Sequence, residues 1–136
     1  MFIVLAARNI HWRLGMSAAE QEETVEVNTD VVFTWMGDHN VYKFPNKADF
    51  DDCDFTKATL LANNTQSPYT FKASSPGVFY FGCRVENGVH CKYVQQKLAL
   101  IVNGTVTYLP LPYCILRRSV WTSHRCVMTN HPNCLS

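Results

Sequence analysis

Cys83, His90 and Gln95 fall within the short stretch FYFGCRVENGVHCKYVQQKLALIV, residues 79–102. A thiolate, an imidazole and a weakly donating amide oxygen from one loop are three of the four groups of a copper electron-transfer site. The missing imidazole is expected from His39, which follows a Met-Gly-Asp turn in VVFTWMGDHNVYKF. Two imidazoles and one thiolate form a trigonal plane acceptable to both Cu(I) and Cu(II), and a long fourth ligand tunes the potential. The set has neither a base and orienter pair beside the cysteine nor an open coordination position, so it reads as a redox site rather than an enzyme's.

These groups must be delivered by strands. In residues 78–83 the alternation puts Phe79, Phe81 and Cys83 on one face, aiming the sulfur into the core. Val31, Phe33 and Trp35 alternate in the same way, and 39–44 is expected to pair with 31–35 as a hairpin across Met36-Gly37-Asp38. Further short strands are read at 10–14, 24–27 and 69–72, with one leaving at Leu98, and 17–23 is a polar connection. Seven to eight short strands between turn signals, with no helical period, argue for an all-β antiparallel sandwich. The aspartate-rich stretch 45–54 lacks the glycine and distal glutamate of an EF-hand loop, and reads as a solvated loop pinned by Cys53.

The pieces NIHWRLG, VVFTW, HNVYKF, FDDCDF, PGVFYFGC, HC and QQKLALIV together resemble the phytocyanins, a branch of the cupredoxins, over roughly residues 10–102. The resemblance implies a Greek-key cupredoxin barrel or sandwich with one type 1 copper held at one end by His39, Cys83 and His90. It puts Gln95 in the axial place, as in the stellacyanin-type subgroup, and implies a structural disulfide between Cys53 and Cys91. Two departures stand out. CRVENGVH advances seven residues from cysteine to histidine where the family usually advances five, a difference that a turn at Asn87-Gly88 can absorb. Val94 stands where the family usually has glycine, which leaves Gln96, or no protein atom, as the alternative axial group.

The 136 residues, 47% of them hydrophobic, suffice for a single core. Residues 1–104 carry nine Lys and Arg against eleven Asp and Glu, whereas 105–136 carry three arginines and no acid. A cupredoxin-like domain at 1–104 is therefore expected to be followed by an irregular extension at 105–136. Neither part concentrates basic side chains as nucleic-acid binders do, and no apolar run of about 18 residues spans a membrane. The apolar start MFIVLA is interrupted by Arg8, too early for a signal-peptide core of ~7–15 residues. Sequons at Asn63 and Asn103 nevertheless agree with a secreted or cell-surface glycoprotein.

Six cysteines permit three disulfides. If Cys83 holds copper and Cys53 pairs with Cys91, then Cys114, Cys126 and Cys134 remain, an odd set. With His124 and His131 they match no paired zinc-ligand spacing. The expectation is a monomeric single-electron carrier serving a small redox partner or redox protein. The alternative is a metal-free cupredoxin-like binding or cell-surface module, while a store with one buried site per chain would hold little copper.

Overall fold

In the computed structural model the described residues are 6–104. Eight strands and two short helices follow in the order β1 (Arg8–His11), β2 (Glu22–Glu26), β3 (Asp30–Thr34), β4 (Val41–Phe44), α1 (Lys47–Asp52), β5 (Thr59–Ala62), β6 (Tyr69–Lys72), β7 (Gly77–Gly82), α2 (Val89–Lys92) and β8 (Lys97–Asn103). They form a three-stranded sheet, β1-β3-β6, and a five-stranded sheet, β2-β8-β7-β4-β5. The pairs β1–β3 and β2–β8 are parallel and the remaining pairs are antiparallel. This is the all-β sandwich that the strand pattern implied, although two of its pairs are parallel where the pattern implied antiparallel ones throughout.

The main core gathers inward-facing residues of both sheets: Ile10, Val31 and Phe33 from one, Val41, Phe81, Leu98, Leu100 and Val102 from the other, with Trp12 and Trp35 beside them. Phe33 meets Trp12 and Phe81 edge to face at centroid distances of 5.3 and 5.2 Å. Such pairing adds to burial because each ring's positive edge meets its neighbour's negative face. A second cluster of Phe44, Phe50 and Cys91 covers the outer side of the five-stranded sheet, with Phe55 and Tyr80 packed against it. Val41 and Phe44, three residues apart and therefore on opposite faces of β4, reach the main core and the second cluster respectively.

Two expectations are corrected. Residues 39–44 do not form a hairpin with 31–35: β3 pairs with β1 and β6, and β4 with β5 and β7, in the other sheet. Alternation reveals which face of a strand is buried but not which sheet owns it. The 45–54 stretch is not wholly loop. Asn46 caps α1 by accepting the Asp49 N–H at 2.9 Å, Phe50 is the helix's buried side chain, and Cys53 ends it in the left-handed conformation with φ 51°. A polar cap three residues before an acceptor-starved N–H, plus one apolar anchor, is enough for a single short helix.

The extension, with Cys114, His124, Cys126, His131 and Cys134, lies outside the described residues.

Candidate metal centre

Cys83 follows β7 directly. Phe81 and Cys83 are fully buried and Phe79 is half-buried against the main core, as the alternation required. The chain then turns through three consecutive residues with positive φ: Glu86 at 53°, Asn87 at 58° and Gly88 at 89°. The turn is closed by the Gly88 N–H donating to Arg84 O at 2.8 Å. Glu86 and Asn87 stand exposed, whereas Gly88 is buried, where an added Cβ would press on the Phe55 ring at 3.3 Å. The two additional residues are thus spent in a left-handed turn, and the chain enters α2 with His90 buried beside Cys83. Asparagine and glycine are the residues that tolerate such backbone angles.

His39 arrives on the connection that carries the chain from the three-stranded to the five-stranded sheet. Asn64 Nδ2 holds the preceding residue through Asp38 Oδ1 at 2.9 Å, and Trp12 Nε1 holds the following one through Asn40 O, also at 2.9 Å. Asn40 also reaches across the site. Its N–H points at Cys83 Sγ at 3.5 Å, and its Oδ1 accepts from the Arg84 N–H at 2.7 Å. One residue therefore ties the His39 connection to the Cys83 loop.

The donor atoms converge. Cys83 Sγ lies 3.5 Å from His90 Nδ1, which lies 3.3 Å from His39 Nδ1. Among the described residues these three form the cluster able to hold a metal ion, with all donor atoms within 4.8 Å of one another. Burial pushes the Cys83 thiol up, opposed by the Asn40 and Val85 N–H groups. Burial first, and then the facing His90, pushes the His39 imidazole down. Both directions are those expected when a charged form is taken out of water.

The structure separates the two candidate glutamines. Gln95 is exposed and holds φ 57°, a left-handed turn that points it away from the core. Gln96 instead is completely buried, and neither its Oε1 nor its Nε2 has a hydrogen-bond partner. Its backbone is fixed between the other donors' residues, its N–H donating to His90 O at 2.9 Å and its carbonyl accepting from the Cys83 N–H at 3.1 Å. A fully buried amide with both ends unpaired is costly, and such a group calls for a partner that the protein atoms do not supply.

The disulfide joins Cys53 to Cys91, closing a separation of 38 residues between the end of α1 and the residue after His90. Among the described residues Cys83 is the free cysteine. Gly82, immediately before Cys83, packs so tightly here that an added Cβ would lie 3.2 Å from Cys91 Sγ and 2.7 Å from the Phe44 ring. The disulfide therefore abuts the chain neighbours of two donors.

The chain superposes on cucumber stellacyanin in its Cu2+ form at pH 7.0 with a TM-score of 0.55 and 26% identity, over 73% of this chain and 98% of that one. The fold is that of a cupredoxin, and the chain is similar to the phytocyanins. Spinach plantacyanin matches it with the same TM-score at 23% identity, over 72% of this chain and all of that one. No known family profile and no curated protein sequence matches the chain. The likeness therefore rests on the structures. Of the remaining predicted positions, Asn63 and Asn103 are both exposed, on the β5–β6 connection and at the end of β8. No helix among the described residues is long and apolar enough to cross a membrane.

Proposed function

We propose that this chain is a type 1 copper protein that carries single electrons, in which His39, Cys83 and His90, with the Gln96 amide as a fourth donor, would hold one copper ion. The observation that supports it is the convergence of those three donors, together with a buried, unpartnered amide on Gln96, whose backbone bonds both His90 and Cys83. The donor set fits the group, since a soft thiolate and two imidazoles suit copper in both oxidation states. Copper, when bound, supplies the one-electron couple.

The protein's own residues do the remainder. Asn40 directs an N–H at the sulfur, which withdraws charge from the thiolate and raises the potential that the set would otherwise give. The aromatic core beneath Cys83 excludes water, and the tethered loops oppose rearrangement between oxidation states. His90 is 8% exposed and His39 is half-buried, so an electron exchanges with a partner through the imidazole end of the molecule. A small redox molecule or redox protein is the expected partner, and the exposed sequons fit a secreted or cell-surface monomer.

The test is a visible spectrum during titration of the metal-free protein with Cu(II). A strong thiolate-to-copper band that saturates at one equivalent, and is lost in Cys83→Ser, is the expected result. A protein that stays colourless and retains no copper overturns the reading in favour of a metal-free binding module.

A further inference from the structure

The backbone of Gln96 is held by His90 and Cys83, and a further tie, just upstream at Val94, comes from outside the metal loop. The Gly15 N–H donates to Val94 O at 2.7 Å, two residues before Gln96. Gly15 sits in a left-handed turn with φ 67°, a conformation that glycine adopts without a side-chain penalty but does not by itself favour. Something must select it.

Arg13 does so. Its Nη1 donates to the carbonyls of Leu14 and Gly15, at 3.1 and 3.2 Å, wrapping the turn that presents the Gly15 N–H. Its Nη2 meets both Glu20 carboxylate oxygens, at 2.7 and 3.0 Å. Glu20 is anchored in turn, one oxygen accepting the Ser17 N–H at 2.8 Å. A guanidinium is suited to this because its planar fork serves a carboxylate and two carbonyls at once, which an ammonium cannot do in fixed geometry.

We propose that Arg13 and Glu20 are positioning residues for the fourth ligand: they fix the Leu14–Gly15 turn, whose N–H holds Val94, and so set where the Gln96 amide stands relative to Cys83 and His90. The inference rests on the function proposed above, and extends it to two exposed residues that touch no donor. Their exposure makes the claim sharp. An exposed ion pair contributes little to global stability, so a merely structural pair would leave the metal site untouched when removed.

The experiment compares wild type with Arg13→Gln, Arg13→Lys and Glu20→Gln in two forms. In the metal-free protein, exchange of the Gly15 amide and the side-chain amide resonance of Gln96 are read by NMR. Arg13→Gln is expected to speed Gly15 exchange by about tenfold or more and to shift the Gln96 resonance, with Arg13→Lys intermediate and the melting temperature nearly unchanged. In the copper-loaded protein, Arg13→Gln is expected to move the reduction potential and the copper hyperfine splitting, and to move neither in a Gln96→Ala background, where no axial amide remains to be displaced. An unchanged Gly15 exchange rate and Gln96 resonance overturn the proposal, as does a potential shift that survives in Gln96→Ala. Failure of the protein to take copper sinks the function while the metal-free measurements still decide the positioning role.

Discussion

At the scale of single residues, the donor types singled out His39, Cys83 and His90, which the fold brings together, and two-residue alternation aimed the Cys83 sulfur inward. The axial group was not legible in the same way. Gln95 and Gln96 are adjacent and chemically identical, and which one turns inward depends on the positive φ at Gln95, a backbone angle that side-chain pattern does not encode. Two outcomes follow from putting Gln96 in that place. Gln96→Met is expected to raise the reduction potential of the loaded protein, since a thioether favours Cu(I) more than an amide oxygen does, while Gln95→Met leaves the potential unchanged. In the metal-free protein Gln96→Leu is expected to raise stability by about 1–3 kcal/mol in chemical denaturation, because it removes a buried amide with no partner. A loss of stability would show that the amide finds a partner without metal.

Glu20 offers a pH signature at the same scale. The Ser17 N–H and hydroxyl, followed by Arg13, hold its carboxyl down at about 2 from the ordinary 4.5. A depressed carboxylate contributes stability that is fully present above 4.5 and is lost as pH falls through about 2, a small contribution here because the group is exposed to solvent. Melting curves across that window are expected to fall less steeply for Glu20→Gln than for wild type, with parallel curves arguing that the carboxylate's partners persist in the unfolded chain.

Among the elements, the strands with buried alternating faces were readable and the others were not. β5, TLLA, has two exposed residues and only Ala62 fully buried, so it gave no alternation to find. α1 owes its existence to the Asn46 cap and the Phe50 anchor, too little for a helical period. The disulfide pairing was implied by the resemblance and is present, joining these quiet elements to the site. Removing it in Cys53→Ala/Cys91→Ala is expected to cost on the order of 4 kcal/mol by the chain-entropy account, read by denaturant unfolding. Gly82→Ala tests the packing at the same place. With Phe44 and Cys91 Sγ inside normal contact of the added methyl, overpacking should destabilise by about 1–3 kcal/mol, and a neutral result would mean that the Phe44 ring can swing aside.

For the molecule as a whole, the sandwich was legible because apolar alternation in so many short strands admits few other closed cores, whereas the allocation of strands to sheets was not. That allocation has a consequence for metal removal. His39 lies on the connection between β3 in one sheet and β4 in the other, while Cys83 and His90 belong to the β7–α2 segment of the five-stranded sheet. A shared cation would therefore staple the inter-sheet connection to the sheet it enters. Binding only to the folded state stabilises by mass action, about 2.7 kcal/mol when free metal stands at a hundred times its dissociation constant. Copper loading is accordingly expected to raise the melting temperature, and a chelator to reverse it. The gain should also be local in hydrogen exchange: amides of residues 35–40 and 84–96 should slow beyond the global change, while those of β2 and its partner stretch of β8, whose contacts do not involve the donors, should follow global stability alone. A uniform slowing across the sandwich would mean that the metal acts on overall unfolding and leaves the connection as free as before, contrary to the stapled geometry.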